Sequence, residues 1–254
     1  MRRIVITGAS AGIGQALARH YAGPETVIGL VARRREPLQA LARSLPGRFE
    51  IYALDVGDAA ALERAAAEYC SRHGAPDLVI ANAGISVGTH GDDPADVDKL
   101  SRVLATNVVG LAASLAAFAP AMRAARGGTL CGIASVAGMR GIPGAGAYSA
   151  SKAAAINWLE SLRVELAGSG VAVVTICPGF IDTPMTRVNR YRMPFLLPAD
   201  EAARRFARAI AARRRFAVIP WQLRLVSALL RLTPPWLYDR LAARTPRKPR
   251  NLPP

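Results

Sequence analysis

Tyr148 and Lys152 stand four positions apart in Tyr-Ser-Ala-Ser-Lys, at the start of an Ala-rich segment with helical character. Residues four apart share one helical face, so the phenol and the ammonium point the same way from adjacent turns. A free phenol titrates at about pH 10. A fixed positive charge a few ångströms away favours the phenolate and is expected to draw that pKa toward the working pH. Such a phenol can exchange a proton with a carbonyl or alcohol oxygen. By itself a Tyr-x-x-x-Lys pair also describes a half-buried aromatic beside a solvated helix residue, and the surroundings shift the balance. Ser135, thirteen residues earlier, closes the apolar run Gly-Thr-Leu-Cys-Gly-Ile-Ala-Ser, which reads as a short strand ending in a hydroxyl. Asn107 lies in Ala-Thr-Asn-Val-Val-Gly, where an amide inside an apolar segment needs partners to be tolerated.

The elements that must position these groups begin at Arg3-Ile4-Val5-Ile6-Thr7, an apolar run bounded by Gly8. Ala9-Ser10-Ala11-Gly12-Ile13-Gly14 follows, and then a helical pattern through Leu17 to Tyr21. A strand, a glycine turn and a helix in that order make a phosphate cradle: the glycines admit the pyrophosphate close to the backbone, and the helix N-terminus supplies free N–H groups. A plain tight turn is the bland alternative. The second apolar run, Thr26 to Ala32, ends where an NAD site would place a carboxylate for the ribose 2′-hydroxyl. The chain instead reads Ala32-Arg33-Arg34-Arg35. Nothing there repels a 2′-phosphate, and Arg33 can pair with one, which predicts NADP(H).

The pattern then repeats. A strand over Phe49 to Leu54 ends at Asp55-Val56, a helix runs from about Ala59 to Arg72, and a strand over Leu78 to Ala81 ends at Asn82-Ala83-Gly84. A long helix from about Pro94 to Arg123 carries Asn107, with Gly110 and Pro120 as expected points of bending or termination. Thr129 to Ala134 delivers Ser135, a helix runs from Tyr148 to about Ala167, and Val171 to Cys177 leads into Pro178-Gly179 and on to Thr183. Strands alternating with helices imply right-handed βαβ units and a parallel sheet, with ligands gathered at the carboxyl ends of the strands. Asp55, Asn82, Gly84, Ser135 and Pro178-Gly179 all fall at such ends. Met193-Pro194-Phe195-Leu196-Leu197, an apolar loop, reads either as a lid over a ligand cleft or as packing.

Composition narrows the class. The length suits one α/β domain. With a strand beginning at the third residue, no leader is expected, nor an apolar run long enough to span a bilayer. Cys70, Cys131 and Cys177 lack metal-ligand spacing, so no metal is expected, and they read as buried thiols of a reducing cytoplasm. The net charge of +15 is concentrated at the end: from Ala202 onward there are 13 basic residues and one acid, Asp239. The basic residues are not interleaved with aromatics along a groove, so no nucleic-acid partner is expected.

The order Thr7-Gly8-x-x-x-Gly12-x-Gly14, Asn82-Ala83-Gly84, Asn107, Ser135, Tyr148-x-x-x-Lys152 and Pro178-Gly179 to Thr183 resembles the short-chain dehydrogenase/reductase family, over roughly Arg3 to Ile219. The resemblance implies a Rossmann-type, doubly wound parallel sheet of about seven strands with helices on both faces, over residues 1–219. It implies an oxidoreductase moving a hydride between nicotinamide and a carbonyl or secondary alcohol. Tyr148 would be the acid or base, Ser135 would hold the substrate oxygen, and Asn107 would hold a water that links Lys152 to solvent. Lys152 would also lower the phenol pKa and hold the nicotinamide ribose. The cofactor would meet Thr7, Gly8, Ser10, Gly12, Ile13, Gly14, Arg33, Asp55, Val56, Asn82, Ala83, Gly84, Tyr148, Lys152, Pro178, Gly179 and Thr183. A homodimer or homotetramer is the usual family assembly, and a catalytically silent nucleotide-binding or scaffold protein on the same fold is the alternative.

Residues 220–254 lie beyond the resemblance. Trp221 to Leu232 and Trp236 to Ala243 read as two short helices, the first with Arg224, Ser227 and Arg231 as its polar stripe, followed by the basic, Pro-rich tail Arg244 to Arg250, expected to be disordered at its end. Broad Leu/Trp faces in a basic region predict a helical extension lying on the inner face of an anionic membrane or capping the entrance of an apolar, acyl-chain substrate. Packing against the domain or another subunit is the competing expectation.

Overall fold

Seven of the apolar runs form one parallel sheet in the computed structural model, which describes residues 1–189, 191–243, 245 and 247–250. The chain alternates β1 (Arg2–Thr7), α1 (Gly12–Tyr21), β2 (Thr26–Ala32), α2 (Arg35–Arg43), β3 (Arg48–Ala53), α3 (Ala59–His73) and β4 (Leu78–Ala81). After the long helical region come β5 (Thr129–Ile133), α7 (Gly146–Glu165), β6 (Ala172–Pro178) and, later, β9 (Phe216–Ile219). The sheet order is β3-β2-β1-β4-β5-β6-β9, so the winding reverses between β1 and β4. That reversal opens a crevice at the carboxyl edge, where doubly wound folds bind ligands.

Alternation along each strand serves two cores. Ile4 and Ile6 face a layer with Leu17, Leu38, Phe206 and Ile210, whereas Val5 faces the opposite layer with Leu62, Tyr69, Leu115, Phe118 and Leu159. Tyr69 lies under β2, where a Cβ on Gly29 would stand 3.2 Å from its ring, and its hydroxyl donates to the Val27 carbonyl at 3.1 Å.

The long helical region is more broken than the sequence suggests. After a 3-10 turn (Pro94–Asp96) come α4 (Val97–Leu104), a π-helical turn (Ala105–Val109), α5 (Gly110–Ala116) and α6 (Ala119–Ala124). The deformation falls on Asn107 rather than at Gly110. Gly110 instead lets the helix press on Val56, since a Cβ there would stand 2.6 Å from Val56 Cγ2. Contrary to expectation, Pro94–Ala124 is long and apolar enough by length and composition alone to cross a bilayer. Its apolar face is nonetheless part of the core, with Leu111, Leu115 and Phe118 buried against the sheet.

Elements not expected from the sequence follow β6. β7 (Ile181–Asp182) pairs with β8 (Leu197–Pro198), α8 (Pro184–Arg187) lies between them, and α9 (Ala199–Ala211) packs on α1. The apolar 193–197 loop is thereby pinned at Leu197, whose N–H donates to the Phe180 carbonyl at 3.0 Å, while Phe195 and Leu196 remain exposed. Of the three thiols Cys131 and Cys177 are buried, but Cys70 is partly exposed.

The extension forms α10 (Gln222–Leu232) and α11 (Pro235–Ala242). The orientation of α10 differs from the expected polar stripe. Ser227 is buried with Leu223, its hydroxyl donating to the Leu223 carbonyl, whereas Leu225, Leu229 and Leu232 face outward. Of the tail, Arg244, Pro246 and the final residues 251–254 lie outside the described residues, and Arg247 to Arg250 are packed against the body of the protein.

Candidate active site

Tyr148 and Lys152 project from the first turns of α7, which begins two residues before the phenol. Tyr148 is half-buried and Lys152 buried. The ammonium reaches under the carboxyl end of β5 and donates to the Ile133 carbonyl at 2.9 Å, two residues before Ser135. Burial pushes the Tyr148 phenol above its ordinary pKa, and hydrogen bonding to Ser135 opposes the rise. Burial also pushes the Lys152 ammonium down, to about 8. The expectation of a lowered phenol pKa is therefore not met by this arrangement. Desolvation of the phenolate is the largest effect at Tyr148, and hydrogen bonding to Ser135 offsets it only in part. A phenol in this state keeps its proton at neutral pH, which suits a donor.

Ser135 is buried at the end of β5. Its Oγ accepts from Ala137 N at 3.1 Å, capping a short 3-10 turn, and lies 3.5 Å from the Pro178 carbonyl at the end of β6. Asn107 is fully buried in the π turn. Its Oδ1 accepts from Ile85 N at 2.8 Å, and its Nδ2 donates to the Ile85 carbonyl at 2.9 Å and to Ser151 Oγ at 3.0 Å. Both amide hydrogens are thus occupied. Oδ1 keeps a second lone pair, and Gly84 borders both it and Lys152: a Cβ there would stand 3.2 Å from Oδ1 and 3.6 Å from Lys152 Nζ. Ser151 belongs to no motif visible in the sequence. It is fully buried and donates to the Tyr148 carbonyl at 2.7 Å, linking the π turn to α7.

The glycine turn occupies the crevice between β1 and β4. Gly8 has φ +67°, and a Cβ there would stand 2.8 Å from Ala83 Cα. Gly14 packs against the Gly8 carbonyl with no space for a side chain. The start of α1 has neither a capping side chain nor an acidic residue in its first turn, so its N–H groups are open to an anion. Ser10 and Ile13 sit partly exposed on this loop. Thr7 and Asn82 turn their hydrogen bonds inward. Thr7 Oγ1 accepts from Asn82 N and Ala83 N at 3.0 and 3.1 Å, and Asn82 Nδ2 donates to the Thr7 carbonyl at 3.0 Å. They hold the two strand ends together.

Arg33 is exposed at the end of β2, beside the glycine turn, whose Ala9 N donates to the Val31 carbonyl at 3.2 Å. Asp55 is exposed after β3 and accepts from Gly57 N at 2.9 Å, while Val56 is buried. Thr183 faces the turn from the other side, with a Cβ on Gly12 falling 3.1 Å from Thr183 Cγ2. Pro178 is buried, and Gly179 leaves the space that Leu223 of α10 fills. The sequence-predicted residues therefore line one carboxyl edge.

A family description, short chain dehydrogenase, matches residues 2–193. The chain belongs to the short-chain dehydrogenase family. An uncharacterized oxidoreductase of Myxococcus xanthus is 38% identical over 96% of this chain and 97% of its own. The 2-(R)-hydroxypropyl-CoM dehydrogenase of Xanthobacter autotrophicus is 32% identical over 73% of this chain and 77% of its own. An alcohol dehydrogenase from Thermococcus sibiricus, solved with 5-hydroxy-NADP, superposes with a TM-score of 0.74 at 26% identity, covering 86% of this chain and 95% of that one. This short-chain dehydrogenase is an oxidoreductase acting between CH-OH and C=O.

Beside the shared edge, this family member carries groups that no local motif announces. Lys248 Nζ lies 6.0 Å from the centre of the Tyr148 ring and donates to Ser86 Oγ at 2.8 Å. Arg140, just after the Ser135 turn, donates to the Leu230 and Thr233 carbonyls at 2.7 Å each and covers the Tyr238 ring at 4.2 Å. The extension is thus fastened to the loop between Ser135 and Tyr148. Its basic and aromatic composition was the available signal, but not its destination.

Proposed function

We propose that this dehydrogenase is an NADP(H)-dependent carbonyl reductase or alcohol dehydrogenase of a lipophilic, acyl-chain compound, with Tyr148 as the proton donor in reduction. The observation that carries the reading is the convergence of Tyr148, Ser135 and Lys152 beside an uncapped helix N-terminus with a glycine cradle. The fit to a dinucleotide is steric as well as electrostatic, because Gly8, Gly12 and Gly14 keep side chains out of the turn. When bound, the nicotinamide supplies the hydride. In reduction, Ser135 donates to the carbonyl oxygen and Tyr148 delivers its proton there as negative charge develops. Lys152 stabilises the resulting phenolate and holds the nicotinamide ribose. Asn107, through the lone pair left on Oδ1, seats a water toward Lys152. Asp55 and Val56 border the adenine, Asn82 to Gly84 its ribose, and Thr183 the carboxamide.

Arg33 supports NADP(H) over NAD(H): it is exposed at the end of β2 where no carboxylate stands. A related alcohol dehydrogenase was solved with an NADP derivative. Residues 1–219 form the catalytic body in this reading, and residues 220–254 are an extension that seats it on an anionic membrane at the cytoplasmic face. Trp221, Leu225, Leu229, Leu232 and Trp236 are all exposed, with Arg224, Arg231 and Arg240 exposed near them. A second copy of the chain on that face, giving a dimer or tetramer, is the competing occupant. NADPH oxidation against carbonyl compounds graded by chain length, with and without detergent, tests the activity. No turnover of any of them would favour a silent nucleotide-binding protein.

A further inference from the structure

The tail from Arg247 to Arg250 is threaded between two loops that border Tyr148. On one side Gly88 N donates to the Pro249 carbonyl at 2.8 Å, and Gly88 has no room for a side chain against the Lys248 carbonyl. On the other side a Cβ on Gly144 would stand 2.8 Å from Arg247 Cβ. Arg250 latches the tail by pairing with Asp93 and, at 2.9 Å, with the buried Asp96. Asp96 also accepts from Lys99 at 2.7 Å and from His90 N at 2.8 Å. The position of Lys248 is therefore set by contacts on both sides of it.

We infer that Lys248 is an anion-binding residue of the substrate site, selecting a carbonyl substrate that bears a carboxylate as well as an acyl chain. This deepens the proposed function and rests on Tyr148 marking the reacting end of the site. The rim carboxylates Asp93 and Asp96 are engaged by Arg250 and Lys99, so among the described residues the Lys248 ammonium has one polar partner, the Ser86 hydroxyl. An ammonium carries three N–H donors, and even the partial burial of Lys248 without an anion is costly. Burial pushes its pKa down to about 8. A carboxylate offers only acceptors and would answer both the charge and the remaining donors. Partly buried Ile85 and Met139 lie on the same bordering loops and suit the chain of such an amphiphile.

Calorimetric titration of the full-length protein with octanoate and with octanamide, each in the presence of NADPH, tests this. Wild type should bind octanoate about tenfold or more tightly than octanamide, the range of one charge-assisted hydrogen bond. Lys248→Met should bring the two affinities together, and Lys248→Arg should restore most of the difference, which a merely structural role would not do. Equal affinities in wild type, no octanoate binding, or a preference that survives Lys248→Met would overturn the inference. Failure of the catalytic reading would register separately, as turnover retained in Tyr148→Phe, with the octanoate preference unchanged.

Discussion

Lys152 Nζ lies 5.8 Å from the centre of the Tyr148 ring, yet its hydrogen bond goes to the Ile133 carbonyl at 2.9 Å. The ammonium is thus held by β5 and presented beneath the phenol, rather than paired with it. Tyr148 stays protonated and available, and burial draws the Lys152 ammonium down to about 8.

Replacement of Tyr148 by Phe removes the proton donor while keeping the ring. NADPH oxidation should fall by about a hundred- to ten-thousandfold, with NADPH affinity changed only slightly. Stopped-flow single-turnover rates beside a fluorescence titration of NADPH check both. Retention of most activity would refute the role of Tyr148.

Arg33→Ala should remove the preference for NADPH over NADH. A charge-assisted contact to phosphate is worth about 1.5–3 kcal/mol, or roughly ten- to more than hundredfold in affinity. Dissociation constants for both cofactors, in wild type and variant, decide the matter. Equal affinities in wild type would be fatal to the assignment.

The buried Lys152 makes stability depend on pH with a defined sign. Its folded-state pKa, about 8, lies below the ordinary value of 10.5. In that interval the unfolded chain binds more protons than the folded one, so stability rises with pH. Relative to Lys152→Met, wild type should gain about 1 kcal/mol between roughly pH 7 and pH 9, at about 1.4 kcal/mol per unit of pKa separation. Urea titrations of both proteins across that range measure it, and a constant difference would show that the ammonium is not desolvated.

Asp96→Asn should loosen the tail. Arg250 and Lys99 hold the Asp96 carboxyl well below the usual carboxylate range, so the latch is intact at neutral pH and is lost only in strong acid. Trypsin should cleave the Arg247–Lys248 bond sooner in the variant than in wild type. Identical time courses would mean that Asp96 does not secure the tail.

The outward leucines of α10 set the last expectation. Leu225→Glu combined with Leu229→Glu should abolish sedimentation with phosphatidylserine-containing liposomes at low salt, and high salt should weaken the wild-type interaction. If wild type stays in the supernatant at low salt while the substitutions dissociate an oligomer, the face is a contact between copies.

How much was legible in the sequence follows from what each feature depends on. The alternation of strands and helices, the glycine turn after β1, the helical pairing of Tyr148 with Lys152 and the placement of Ser135 at a strand end are local. Apolar runs, glycines and four-residue spacing encode them within a few turns of chain. Other features were decided by contacts between distant segments. Asn107 sits in a π turn and meets Ser151, 44 residues away. Gly179 is small because Leu223 fills its space. The Ser227 side of α10 turns inward although its leucines suggested the reverse, because Arg140 and Tyr238 fix the extension to the loop between Ser135 and Tyr148. Lys248 comes to Tyr148, 100 positions earlier in the sequence, because the tail packs between the Gly88 and Gly144 loops and Arg250 pairs with Asp93 and Asp96. Periodicity records which face of an element is apolar. Which neighbour covers that face, and how desolvation then shifts a phenol or an ammonium, is fixed only when the packed environment forms.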